Sequence, residues 1–164
     1  LATITLKGNP ISTSGELPAV GSKAPAFTLT ATDLSDLTLA SLSGQRVVLN
    51  IFPSIDTGIC AMSVRRFNEA AAGLEGTVVV NVSADLPFAQ KRFCGAEGIE
   101  NAKAASTFRS SFARDYGAEI SDGGMRGLCV RAVIVLDGEG TVLYTELVPE
   151  IVQEPNYEAA LAAL

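Results

Sequence analysis

The chain contains no histidine. That absence removes Ser-His-Asp and Cys-His catalysis at once. It also removes the commonest ligand for zinc or iron. Cysteine is scarce, with only Cys60, Cys94 and Cys129. Three is too few, and odd, for a secreted disulfide scaffold, and no pair has the C-x-x-C spacing of a zinc ribbon. No cofactor and no metal is therefore expected. No apolar run approaches the roughly 18 residues a membrane helix needs. Residues 1–7 have neither the basic start nor the apolar length of a signal peptide. With unpaired cysteines, this points to a cytoplasmic protein with no membrane partner. There is no basic tract and the net charge is -6, so nucleic acid is not an expected partner either.

What is present suits a folded enzyme. Of 164 residues, 48% are hydrophobic and 18% charged, which sets disorder aside and allows a real core. No repeat or linker interrupts the chain, so one domain spanning 1–164 is expected. Residues 3–7 and 11–14 read as two short strands joined at Gly8-Asn9, an N-terminal hairpin. Residues 27–30 read as a strand, and residues 39–42 as one helical turn stopped by Gly44. Residues 46–52, a helix carrying Cys60, and residues 77–83 form a β-α-β unit. Residues 86–93 read as a short helix or turn carrying Cys94, with Gly95 as its stop. Residues 106–116 read as helical. Residues 131–136 and 141–146 form a hairpin around Asp137-Gly138-Glu139-Gly140, and residues 157–164 a closing helix capped by Asn156. A β-α-β start with a β-β-α end predicts an α/β, thioredoxin-like fold with a mixed central sheet and helices on both faces.

Cys60 is the residue that carries chemistry. It follows the apolar run Val47-Val48-Leu49-Asn50-Ile51-Phe52 and the turn Pro53-Ser54-Ile55-Asp56-Thr57-Gly58-Ile59. Cys60, Val64, Phe67, Ala71 and Leu74 recur at helical spacing. Thr57 fits the N-cap, which puts Cys60 at the third helical position. A helix start favours negative charge, so a thiolate suits that position. A free thiol is only a few per cent ionised at neutral pH. With no imidazole, a helix end, a lysine or an arginine must stabilise the ionised form. Arg131 is the best candidate, because it heads the apolar run Ala132-Val133-Ile134-Val135-Leu136, where a charge needs a reason.

The motif Pro53-x-x-x-Thr57-x-x-Cys60 resembles the peroxiredoxin active site. With Lys91-Arg92-Phe93-Cys94 and the ending Glu154-Pro155-Asn156-Tyr157-Glu158-Ala159-Ala160-Leu161, the chain resembles the bacterial thiol peroxidase subfamily of the peroxiredoxins over nearly its whole length. The resemblance implies a peroxiredoxin-type thioredoxin fold and a thiol-dependent peroxidase acting on hydrogen peroxide and organic hydroperoxides. It implies thioredoxin as reductant and a homodimer as assembly. It makes Cys60 the peroxidatic cysteine and Cys94 the resolving one, joined within the chain as a disulfide during turnover. Arg131 matches the family's strand arginine. Thr57 would hold the peroxide, and Pro53 would shield the sulfur from water.

Each residue has a plainer reading. Cys60 and Cys94 could be buried thiols, Thr57 a cap, Pro53 a strand end and Arg131 a structural ion pair. Asp56 reads as a solvated turn residue, and Lys91-Arg92 as an exposed helix face, with a docking contact for thioredoxin as the alternative. Cys129 departs from the family pattern. On a strand it would share a side with Arg131, near enough to serve as an adventitious partner for Cys60; filling a core position is the simpler account. Two other function classes compete. A disulfide oxidoreductase would need a second thiol in Cys60-Ala61-Met62-Ser63, and a redox-sensing module would leave Thr57 and Arg131 together unexplained.

Overall fold

The computed structural model describes residues 2–164. Its main sheet has seven strands in the order β4-β3-β7-β6-β5-β8-β9. These are β3 (Thr28–Ala31), β4 (Asp36–Thr38), β5 (Arg46–Ile51), β6 (Thr77–Ser83), β7 (Lys103–Ser106), β8 (Ala132–Leu136) and β9 (Val142–Leu147). The sheet is mixed: β5 runs parallel to β6, and β6 to β7, while β8 lies antiparallel to β5. The helices are α1 (Gly58–Ala71), α2 (Pro87–Glu97), α3 (Phe112–Asp115) and α4 (Tyr157–Ala162). This is the thioredoxin-like architecture expected from the chain.

The central strands alternate strictly between two cores, as a two-residue period requires. Val47, Leu49 and Ile51 face a large cluster with Ile134, Leu136, Phe112 and Tyr116. Val48, Val79, Val133 and Val135 face the opposite way, against Phe67 of α1 and Tyr157 and Ala160 of α4. Phe67 and Tyr157 meet edge-to-face at 5.2 Å between ring centroids, which locks α1 to α4. Helices thus cover both faces.

Some expectations from the chain are corrected. Residues 106–116 are not one helix, because β7 pairs with β6 up to Ser106 and only Phe112–Asp115 is helical. Gly95 does not end the Cys94 helix. It lies inside α2, and Gly98, with φ 65, forms the left-handed cap. The short strands β4 and β7 have no counterpart among the expected strands, since Asp-Leu-Thr and Lys-Ala-Ala-Ser carry little strand signal.

The N-terminal hairpin forms, but its turn lies one residue earlier than Gly8-Asn9 and Asn9 opens the second strand. β1 (Thr3–Leu6) pairs with β2 (Asn9–Ser12), and Leu6 opposes Asn9. The two-residue turn is Lys7-Gly8, both at positive φ (50 and 84), the mirror-image turn that suits strand twist. Glu150 fastens this turn to the body. Its carboxylate accepts from Gly8 N at 2.8 Å, Lys7 N at 3.1 Å, Thr5 Oγ1 at 2.9 Å and Val152 N at 3.1 Å. Those bonds, led by the Val152 amide, pull the Glu150 carboxyl down to about 2. Because the folded value lies below the ordinary one, this stabilisation is complete above about pH 4.5 and fades as pH falls towards 2. Thermal melts between pH 4.5 and 2 should show a flatter decline for Glu150→Gln than for the wild type, with the two curves converging at the acid end.

Candidate active site

β5 ends at Ile51, and the chain turns through Pro53 to Thr57 before α1 begins at Gly58. Thr57 is the N-cap residue, so Cys60 takes the third helical position, as its spacing predicts. The Thr57 side chain makes no capping bond. Its hydroxyl donates instead to Ser54 O at 3.1 Å. Capping alone therefore does not account for Thr57. The first turn of any helix leaves its amide N–H groups without intrahelical acceptors, and here these belong to Gly58, Ile59 and Cys60.

Arg131 immediately precedes β8 and is only 2% exposed. Its Nη2 donates to Cys60 Sγ at 3.2 Å, and its Nε to Ile151 O at 2.7 Å. No carboxylate pairs with it among the described residues. Its Nη1 is buried with no partner. The structural ion-pair reading of Arg131 is thereby excluded for the described residues. A buried, always-charged group with an unused donor can receive an anionic or polar partner.

Pro53, Thr57 and Arg131 line one cavity of about 250 Å³. The rest of its wall is mostly apolar, with Leu6 from the hairpin, Ile59, Met125, Ile151 and Val152. Leu6, Met125, Ile151 and Val152 carry no sequence signal, because they are gathered from distant segments with no shared periodicity. Ser63 was also missed. Its hydroxyl donates to Cys60 O at 2.8 Å and accepts from Asn50 at 3.2 Å, while Asn50 also donates to Asn81 at 2.9 Å. A signal did exist for that network: one asparagine interrupts each of two buried apolar strands, and the two are in register.

Cys94 sits on α2 and borders the cluster of Phe52, Ile55, Cys60, Val64, Phe93 and Ile99. All three cysteines are free thiols. Cys94 is partly buried, and burial raises its pKa. It also lines a groove with Asp33, Asp36 and Lys103, which shares no lining residue with the Arg131 cavity. Cys129 belongs to the large core, apart from the Cys60 cluster, and is fully buried. Burial pushes its thiol up to about 12. This is the core-filling role. Arg92 of α2 reaches Asp56 at 3.4 Å, and Arg65 of α1 reaches Glu97 at 3.2 Å, but both pairs are solvent-exposed and contribute little. No group of three metal-ligating side chains occurs among the described residues, and no helix there is long and apolar enough to cross a membrane.

The redoxin family model matches residues 19–161. The thiol peroxidase of Mycobacterium tuberculosis is 63% identical over 164 residues, covering all of this chain and 99% of that protein. The chain belongs to the redoxin family, in its thiol peroxidase branch. A peroxiredoxin-like protein from Aquifex aeolicus superposes with a TM-score of 0.94 at 41% identity, over 99% of this chain and 96% of that one. Thiol peroxidase from Chromobacterium violaceum has the same fold, with a TM-score of 0.87 at 21% identity, over 98% and 93% of the two chains.

The burial of the third cysteine in this redoxin has a direct consequence. Under native conditions at pH 8, Cys129 should resist iodoacetamide while Cys94 reacts, and it should label only after unfolding. Peptide mass mapping reads both outcomes.

Proposed function

We propose that this redoxin is a thiol peroxidase in which Cys60 is the peroxidatic cysteine and Cys94 the resolving one. The observation that carries the reading is the buried Arg131, which donates to Cys60 Sγ at 3.2 Å while its second amino group stays unpartnered. A permanent positive charge at that distance favours the ionised sulfur. The helix start adds to it.

The Cys60 thiolate attacks the nearer peroxide oxygen. The O–O bond breaks, two electrons pass from sulfur to peroxide, and the leaving alkoxide or hydroxide takes a proton from water. Arg131 Nη1 and the free amides of the first α1 turn meet the charge that develops on the two oxygens. The exposed Thr57 hydroxyl holds the peroxide in line, and the buried Pro53 keeps water from the sulfur. Cys60 is left as a sulfenic acid. The Cys94 sulfur then displaces its hydroxyl, which leaves as water, and a disulfide forms within the chain. Reduced thioredoxin restores both thiols by exchange. The disulfide requires Cα atoms within about 7 Å. Cys94 faces a different groove from Arg131, so α2 and the start of α1 loosen in each cycle.

The mostly apolar wall of Leu6, Met125, Ile151 and Val152 favours organic hydroperoxides alongside hydrogen peroxide. We further infer a cytoplasmic, single-domain protein that works as a homodimer. The exposed apolar side chains Leu86, Phe88 and Phe108 support the dimer, and the free thiols support the location.

A coupled assay with hydroperoxide, thioredoxin and its reductase tests the whole reading. Cys60→Ser should abolish turnover. Cys94→Ser should consume about one equivalent of peroxide and stop. Arg131→Met should lower kcat/KM by roughly 10²–10³-fold, the usual loss for one charge-directed donor, and slow thiolate-selective alkylation of Cys60 at pH 7. Full turnover in Cys60→Ser sinks the assignment.

A further inference from the structure

A polar network joins the two redox segments, and the peroxidase chemistry leaves it without a task. Asp85 follows β6, and its carboxylate collects three donors. Oδ1 accepts from Ser54 Oγ at 2.7 Å, while Oδ2 accepts from Ile55 N at 2.9 Å and Ser83 Oγ at 2.6 Å. Ser54 and Ile55 belong to the turn that sets Pro53 and Thr57. Ser83 Oγ in turn accepts from Gln90 Nε2 at 3.1 Å, and Gln90 also donates to Ala105 O at 3.0 Å. Gln90 is 1% exposed and stands on α2, four residues before Cys94. No lysine or arginine pairs with Asp85 among the described residues. Its hydrogen bonds go to the Cys60 turn on one side and, through Ser83, to the Cys94 helix on the other.

We propose that Asp85 is a positioning residue, a latch that holds the Cys60 turn and the Cys94 helix in their closed arrangement and so sets how sulfenic Cys60 is partitioned. The inference rests on the thiol peroxidase reading above. In the closed arrangement a second peroxide can oxidise sulfenic Cys60. The sulfur gives up two more electrons, the O–O bond breaks, and sulfinic acid forms with release of alcohol or water. In the opened arrangement Cys94 sulfur attacks Cys60 sulfur instead. The S–O bond breaks, the S–S bond forms, and the hydroxyl leaves as water with the Cys94 proton. A tighter latch favours the first product, and a looser one the second.

Asp85→Asn tests this. Three donors converge on the carboxylate, whereas an amide offers one acceptor oxygen and turns its own N–H groups towards the remaining donors. Rapid-quench mass spectrometry after a fixed excess of peroxide should show the Cys60–Cys94 disulfide forming about ten-fold faster, the equivalent of one lost charge-assisted hydrogen bond. The sulfinic fraction should fall by a similar factor. Hydrogen exchange in the reduced protein should quicken at residues 55–64 and 93–97 and stay unchanged in β5 and β8. Ser54→Ala removes one of the three donors and should move every readout the same way by less; it decides the matter alone if Asp85→Asn does not fold. Wild-type disulfide rates and sulfinic fractions in the variants overturn the latch, as does exchange that quickens equally in β5 and β8. A wild type that forms neither disulfide nor sulfinic acid sinks the peroxidase reading, and the latch with it.

Discussion

The structure turns on one contact, between a buried guanidinium and a buried sulfur. Arg131 is 2% exposed and Cys60 fully buried, and their atoms meet at 3.2 Å. Removing a guanidinium from water is costly unless an opposite charge or full hydrogen bonding compensates. Here no carboxylate does so among the described residues, and one of its amino groups has no partner. The sulfur is the group placed to carry the compensating charge. The protein thus tolerates an uncompensated cation at the head of β8, held against that sulfur and the Ile151 carbonyl.

The rest of the fold keeps that contact in place from several directions. β5 and β8 are antiparallel neighbours, so the end of β5, which leads to Cys60, lies beside the start of β8, which follows Arg131. Ile51 pairs with Ala132, which fixes the two approaches in register. The Ile151 carbonyl orients Arg131 Nε. Glu150, next to it, ties the N-terminal hairpin down and with it Leu6 in the cavity wall. The hairpin is therefore a wall of the site, although it sits outside the main sheet.

Much of this was legible in the sequence, for identifiable reasons. Cys60 and Thr57 announce themselves through local signals, an apolar run followed by a cap residue and a helical repeat. Arg131 announces itself as a charge heading an apolar strand. Both signals are set by a few neighbouring residues, so they survive folding unchanged. The cavity wall does not work that way. Leu6, Met125 and Ile151 come from a hairpin and two loops, and only tertiary packing brings them together. The same holds for Asp85, whose importance lies in partners about thirty positions upstream. The misread helix at 106–116 has a third cause. Phe112 and Tyr116 have helical spacing, but the edge of β6 claims Ser106 and its neighbours for strand pairing. Sheet register outweighs a weak local preference.

The missing histidine can now be given a physical meaning. An imidazole beside a cysteine serves as a base, yet its charge vanishes as it gives up its proton near neutral pH. A guanidinium has no such midpoint in the accessible range. Arg131 therefore keeps its positive charge across the accessible pH range. A peroxide leaving group needs a proton, and water at the cavity mouth can supply it, so no protein acid is required near Cys60. The site can then be mostly apolar apart from one guanidinium, one hydroxyl and a helix start. That composition agrees with the hydroperoxide reading proposed above.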